Sequence, residues 1–387
     1  MDPITARPHR RRARRRLLIG AVAVALLASA CSSSASPAHK ASLSGASSTS
    51  SEVQKATAFI KPYLTPPAKI PLSVPLTSPA PRGKTIVFLQ CELAQCQVIG
   101  ASVKQAAAVV GWTYKVIPYQ STNPSTLAAA LTQALQYHPV AVGFTSPPYA
   151  LWSQEVAAYK AAGVALIPSF TGTVPLGPTI VANPASAGFA GLNGQILGNW
   201  FIADSGAKGN VLSVNIPDFP YLGDVSDQFD ATVASDCPGC KVTDLNVGIP
   251  DVDSGAITGI VVSALRRNPA IKYVVASDSA FMEALPAALQ AAGLGGKVQV
   301  AGCCGVAAVE TGLTTGAFSA ITGVNGTYAG FLTIDAALRV AEKLPIPSTE
   351  GDLPVGLLTR QSPGTPSNSY DEPADYAQQF EKLWKIS

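Results

Sequence analysis

The sequence predicts an α/β protein of two similar lobes, each a parallel β-sheet flanked by helices. Three observations carry that prediction. From Lys84 to Val324, short β-branched runs alternate with helical runs, and such alternation implies parallel strands joined by right-handed crossovers. The alternation falls into two consecutive series, each too complete to be an appendage of the other. Roughly 300 residues follow the N-terminal segments, enough for a large core and better divided between two lobes than gathered into one.

The first series opens with "KTIVFLQ" (84–90). Over 97–110, Ile99, Val103, Ala106, Ala107 and Val110 share one helical face. "TYKVIPY" (113–119) is the next strand, and "NPSTLAAALTQALQ" follows with Asn123 as N-cap, Pro124 at the first helical position and Leu127, Leu131 and Leu135 in one row. "PVAVGF" (139–144), a helix over 151–162 stopped by Gly163, and "VALIPSF" (164–170) complete four units. The second series runs through a helix over 186–204, "NVLSVNI" (210–216), a helix over 222–235, "KVTDLNV" (241–247), a helix over 254–267 and "KYVVAS" (272–277). It closes with a helix over 281–292, "VQVAG" (298–302), a short helix over 306–314 and "FSAITGV" (318–324).

Residues 1–16 hold seven arginines and lead into "LLIGAVAVALLASA", which ends at Cys31. This run is too short to span a bilayer, where about 20 apolar residues are needed, and reads as a signal peptide over 1–30. "LLASAC" resembles the lipobox of bacterial lipoproteins, which implies lipidation at Cys31 and a protein held at the outer face of the cell membrane. Simple secretion after an A-x-A site (Ala28, Ala30) is the rival reading, and the choice between general and twin-arginine export stays open. The Ser/Ala-rich stretch 31–51 cannot bury a core and suits a flexible tether. Residues 1–30 contribute seven Arg and one Asp, a net +6, to a chain of net +3, so the remainder carries −3. No basic surface for nucleic acid is expected of it.

On its β-α order, and on "KTIVFLQ", "AAYKAAGVALIPS", "NPAIKYVVASDSAFMEALPAALQAAG" and "KVQVAG", the chain resembles the type 1 periplasmic binding proteins, in the ribose-binding-like branch of sugar-type ABC importer receptors. The likeness covers residues 84 to about 361. The tail "FEKLW" (380–384) and the stretch "ATAFIKPYLTPP" (56–67), within an N-terminal extension 52–83, are similar to those of some actinobacterial lipoprotein members. The resemblance implies lobes joined by a three-strand hinge, the first of 84–173 plus 326–349 and the second of 174–325 plus 350–387. It also implies a monomer that captures a small polar or sugar-like ligand by hinge closure and delivers it to a permease and its ATPase. A receptor that signals to a membrane kinase is a second possibility.

Strand ends define the expected cleft, because loops and helix N-termini converge at the carboxyl edge of a parallel sheet. From the first lobe these are Gln90, Glu92, Gln95, Tyr119, Gln120, Thr145, Tyr149, Ser169 and Phe170; from the second, Asp218, Phe219, Tyr221, Asp278, Cys303, Cys304 and Asn325. Amides and carboxylates suit hydroxyl-rich ligands, and aromatic faces suit sugar CH surfaces. The resemblance places a ligand-binding Asp at Asp278, which is equally well placed to cap the helix after it. Three departures cast doubt on an ordinary sugar: "YLGDVSDQF" and "SFTG" lack arginines common in relatives, and "AGCCG" stands where many end "GFDG". A more apolar or aromatic ligand becomes credible.

Apart from Cys31, six cysteines form three local sets, and pairing is the rule in an oxidising compartment. Cys91 and Cys96 bracket the first cleft loop; Cys237 and Cys240 form a C-x-x-C between a helix and a strand, away from the cleft. Cys303 and Cys304 are either a vicinal disulfide or two buried thiols acting as small hydrophobes. No metal site and no cofactor are expected, since the histidines are His9, His39 and His138, and His138 suits a helix end. No hydrolase, nucleotide-binding or zinc-protease motif occurs, so the chain reads as a binder and not an enzyme. A thiol oxidoreductase built on "CPGC" is the one chemical alternative.

Overall fold

The computed structural model describes residues 50–363 and 370–386. The expected signal peptide, Cys31 and all but the last two residues of the expected tether lie outside the described residues.

Helix α1 (Ser51–Ile60) opens the described chain, with the Ser50 hydroxyl accepting from the Val53 N–H. The first sheet has four parallel strands in the order β2-β1-β3-β4: β1 (Thr85–Gln90), β2 (Thr113–Pro118), β3 (Ala141–Thr145) and β4 (Ala165–Ser169). Its helices are α2 (Ala94–Val109), α3 (Pro124–Leu135) and α4 (Val156–Ala162). Every residue of β3 and β4 is buried, as expected of parallel strands covered on both faces. β2 lies at the edge and is mostly exposed. The helix expected over 151–162 begins only at Val156, after two 3-10 turns over Tyr149–Leu151 and Ser153–Glu155. Pro147 and Pro148 set that entry, and Trp152 is driven fully into the core against Phe144.

The second sheet has the order β10-β9-β8-β7-β5-β6. Its elements in chain order are α5 (Ala187–Asp204), β5 (Asn210–Asn215), α6 (Pro220–Asp236), β6 (Lys241–Asn246), α7 (Ile249–Asp253), α8 (Ile257–Arg267), β7 (Tyr273–Ala276), α9 (Leu285–Ala291), β8 (Gln299–Gly302), α10 (Ala307–Thr315) and β9 (Ala320–Val324). The helix expected over 254–267 starts instead at Ile257, after α7 and a turn in which Gly255 has φ 66°. The helix expected over 281–292 starts at Leu285, where Pro286 suits a first turn, and a 3-10 turn over Ser279–Met282 precedes it.

Helix α11 (Gly326–Glu342) returns to the first lobe, packing against α2, β3 and β4. The approach to α2 is close: a Cβ on Gly330 would lie 2.6 Å from Ser102, so only glycine fits. The Ser102 hydroxyl donates to the Thr327 carbonyl across that contact. Strand β10 (Val355–Thr359) then pairs antiparallel with β9, back in the second lobe. The chain thus crosses three times, after β4, after β9 and after α11. The last helix, α12 (Tyr376–Leu383), departs from the expected division, which placed all of 350–387 in the second lobe. Tyr376, Phe380 and Trp384 pack on Tyr328 and Phe331 of α11, with Trp384 stacked on Phe331 at 5.7 Å between ring centres. An aromatic face this apolar cannot stay in water, and α11 offers the matching surface.

The extension before β1 is fastened to both lobes. α1 lies on α5, with Lys55 paired to Asp236 at the end of α6 (2.8 Å). The chain then passes β10 and runs along the tail, where Ile70, Leu76 and Ala80 donate backbone N–H groups to Gln379, Leu383 and Trp384.

At the centre of these contacts sits a buried ion pair, Asp335 with Arg339, one turn apart on α11. The Trp384 indole N–H donates to Asp335 (2.8 Å), and Arg339 donates to the Val74 carbonyl and lies 3.9 Å from Glu350 on the third crossing. Burial, then the charge of Asp335, pushes the Glu350 carboxyl well above the usual range. Burial raises the Asp335 carboxyl as well, against the Arg339 charge and hydrogen bond, which lower it. Removing one member of a buried pair strands the other. Asp335→Ala is expected to cost about 3–5 kcal/mol in urea unfolding, whereas Lys55→Ala, at an exposed pair, should stay within about 1 kcal/mol.

Candidate functional site

The carboxyl ends of both sheets meet around a cavity of about 210 Å³. The first lobe supplies Leu93, Ala94 and Gln95 from the start of α2, Ser146 after β3 and Phe170 after β4. The second supplies Phe219, Tyr221 and Leu222 from the start of α6, Asp278, Ala280 and Phe281 after β7, Cys304, Gly305 and Val306 after β8, and Val324 at the end of β9.

Six of the residues expected from the sequence come together here: Gln95, Phe170, Phe219, Tyr221, Asp278 and Cys304. The other expected residues do not line the cavity. The Gln90 side chain packs against Gly100 of α2. Glu92 is exposed and accepts from the Ser121 N–H (3.0 Å); burial raises its carboxyl, but the Ser121 hydrogen bonds outweigh that and leave it lowered. Gln120 is exposed. Thr145 is fully buried, and its carbonyl takes the Tyr119 hydroxyl. Tyr149 packs edge-on against Trp152. Ser169 is buried and donates to the Phe144 carbonyl. Asp218 is exposed and accepts from the Ile249 N–H at the start of α7. Asn325 is buried as the N-cap of α11, accepting from the Tyr328 N–H (2.8 Å). Cys303 is buried behind its neighbour, its backbone bridging Ala276 and Ser279.

Residues that the sequence did not suggest, such as Leu222, Phe281 and Val306, lie one turn beyond a strand end, on the helix entrances. Their apolar character there is the signal that could have found them, since a helix entrance facing water has no reason to carry Leu or Phe.

Three lining residues hold the left-handed conformation without being glycine: Ser146 (φ 80°), Phe170 (φ 53°) and Cys304 (φ 62°). Such backbone costs on the order of 1–3 kcal/mol per residue and persists only where surrounding contacts impose it. Here the contacts are visible. Phe170 packs edge-on to Tyr221 at 5.0 Å, its N–H donating to the Pro184 carbonyl, and the Tyr221 hydroxyl lies 3.9 Å from the Cys304 sulfur.

Among the described residues, Asp278 is the one carboxylic acid that lines the cavity. Its Oδ1 accepts from the Ala280 N–H (2.9 Å), so it caps the 3-10 turn while facing the cavity. Burial pushes its carboxyl up to about 7, against the Ala280 hydrogen bond, which lowers it, and with help from Glu283. Tyr221 is raised by burial first and then by the charges of Asp278 and Asp224.

The six cysteines of the described chain stand as three close pairs, with Cα separations of 5.5 Å (Cys91, Cys96), 5.3 Å (Cys237, Cys240) and 3.8 Å (Cys303, Cys304). The first pair brackets Leu93, Ala94 and Gln95, which line the cavity. Cys237 and Cys240 join the end of α6 to the start of β6, at the opposite edge of the sheet.

The pattern that describes the periplasmic binding protein domain matches residues 94–344. The chain belongs to that family. This is a family of extracytoplasmic binding proteins and not of enzymes, in line with the sequence-based expectation. No curated protein matches the chain. Among solved structures, the binding protein is similar to an ABC sugar transporter subunit from Rhodobacter sphaeroides (TM-score 0.63, 19% identity, 72% of this chain and 99% of that one). It is also similar to a 5-methylthioribose transporter solute-binding protein from Thermotoga lettingae, in complex with 5-methylthioribose (0.66, 15%, 81% and 100%). A third is an ABC transporter solute-binding protein from Agrobacterium vitis bound to α-D-tagatopyranose (0.62, 18%, 76% and 98%). At these identities the likeness is one of fold.

A carboxyl held near 7 in the folded chain, against about 3.8 when exposed, binds more protons folded than unfolded between those values. Stability from this group is therefore present at low pH and lost as pH rises through that window. Asp278→Asn is expected to stabilise the ligand-free binding protein at pH 8, by at most about 4 kcal/mol, and to have little effect at pH 4. Urea unfolding of both proteins at the two pH values checks the sign.

Proposed function

We propose that this binding protein is the solute receptor of an ABC importer, lipidated at Cys31, tethered to the outer face of the cell membrane and handing its ligand to a permease and its ATPase. The observation that carries this reading is the cavity lined by helix entrances and strand ends of both lobes. A site divided in that way couples ligand capture to hinge closure, the change a permease can recognise. The ligand is a small solute held between Gln95 and Phe170 on one side and Phe219, Tyr221, Asp278 and Cys304 on the other. The cavity's mostly apolar lining favours a ligand with an apolar body over a bare pentose or hexose. The methylthio group of the ligand bound by the Thermotoga lettingae relative is one example of such a body.

In an oxidising compartment the three close cysteine pairs would be disulfides. The Cys91–Cys96 bridge would then stiffen the loop that presents Leu93, Ala94 and Gln95, lowering the entropy lost on binding. Cys303 and Cys304 together would make a rigid apolar plate on the cavity wall.

A thermal-unfolding scan against sugars, polyols, nucleosides and small aromatics tests the receptor reading. A true ligand at 100 times its dissociation constant should stabilise the protein by about 2.7 kcal/mol. Phe170→Ala should remove that shift; a shift that survives it would place binding elsewhere. The anchor has a separate test. Cys31→Ser should move the exported protein from the membrane fraction to the soluble one, and retention in the membrane would refute lipidation at that residue.

A further inference from the structure

We propose that the cavity selects an organic cation, a small aliphatic or aromatic amine whose ammonium group pairs with Asp278 while its apolar body lies against Phe170, Phe219, Tyr221 and Phe281. The proposal rests on the reading of this cavity as the ligand site and adds the chemical class.

The charges around the cavity point one way. Among the described residues, the lining contains Asp278 and no Lys, Arg or His. The ionisable groups around Asp278 and the wall are also acidic or phenolic: Glu283 just beyond the 3-10 turn, Asp224 and Tyr221 on α6, and Glu310 on α10, packed behind Gly305. An anionic ligand would meet only like charge. A carboxylate in this setting, with one backbone N–H as its protein partner, lacks the counter-charge that buried carboxylates ordinarily have. A ligand ammonium supplies it.

The polar capacity of the wall suits a polyol poorly. Beyond Asp278, the side chains able to hydrogen-bond are those of Gln95, Ser146 and Tyr221. A hexose brings five hydroxyls and a ring oxygen, and those left unpaired in an apolar wall each weaken binding. An amine concentrates its polar demand in one group, which the single carboxylate meets. Aromatic faces complete the match, because the negative face of a ring attracts an organic cation. Four aromatic side chains line this one small cavity, and two of them, Phe170 and Tyr221, are fixed edge to face.

The test compares isosteres. Calorimetric titration of the protein at pH 8 with 2-phenylethylamine, butylamine, 2-phenylethanol and D-ribose separates charge from shape. At least one amine should bind, with 2-phenylethylamine at least about tenfold tighter than 2-phenylethanol, the margin of one charge-assisted contact. Asp278→Asn should reduce that margin to about twofold or less, chiefly by weakening the amine, with the alcohol still measurably bound, a result that loss of folding cannot imitate. Equal or tighter binding of the alcohol, or an amine preference that survives Asp278→Asn, overturns the cation assignment. Ribose binding without amine binding overturns the cation assignment alone and leaves the receptor reading intact, provided Phe170→Ala abolishes it. Failure of all four probes overturns the amine class, and the broader ligand scan then decides the receptor reading separately.

Discussion

The ion pair between Asp335 and Arg339 joins four parts of the chain that are distant in sequence. It sits on α11, holds the tail through Trp384, holds the extension through the Val74 carbonyl and faces Glu350 on the third crossing. Ions are costly to bury, and this pair offsets part of that cost because both Asp335 oxygens accept hydrogen bonds, from Arg339 and Trp384, and Arg339 donates also to the Val74 carbonyl. α11 also carries the wall that the first sheet packs against, so the alignment of the lobes is set from the same place.

That alignment brings two carboxyl edges of parallel strands together, and the cavity follows from it. The helix entrances that meet there carry Leu, Phe and Val where polar residues would otherwise be expected, and three side chains are presented by left-handed backbone. Both features oppose local preference, and both are confined by contacts across the cavity wall. Local conflict of this kind is where a chain departs from foldability alone and shows selection for a site.

The strands and most helices were legible because β-branched runs and 3.6-residue periodicity are local signals. β3 and β4 read as plain apolar runs, and "NPSTLAAALTQALQ" announces its own start. Boundaries failed where proline or glycine acted within a periodic stretch, as at Gly255 and Pro286. α1, α7, α11, β10 and α12 were not assigned from sequence: α1, α7, β10 and α12 are short, and α11, buried nearly all round between the first sheet and the tail, shows little of a one-faced pattern. The site divided along the same line. Phe170, Asp278 and Cys304 follow strands directly and could be picked out by position. Thr145 and Asn325 also stand at strand ends, but the first turns into the core and the second caps α11, and such choices depend on neighbours that no local pattern contains. Cys303 and Cys304 illustrate the limit well: adjacency in sequence placed both at the cleft, while the backbone lets only one face it.

The extension before β1 adds a fourth link between lobes already joined by three crossings. Its ends are fixed on α5 and α6 at one side and on α11, α12 and β1 at the other, so any opening of the cleft stretches or peels it. Such a link opposes separation of the lobes, and under the hinge-closure reading it would lower the fraction of time the cleft spends open. Residues 50–83, none of which lines the cavity, are then the part of the chain outside the crossings that holds the two lobes together.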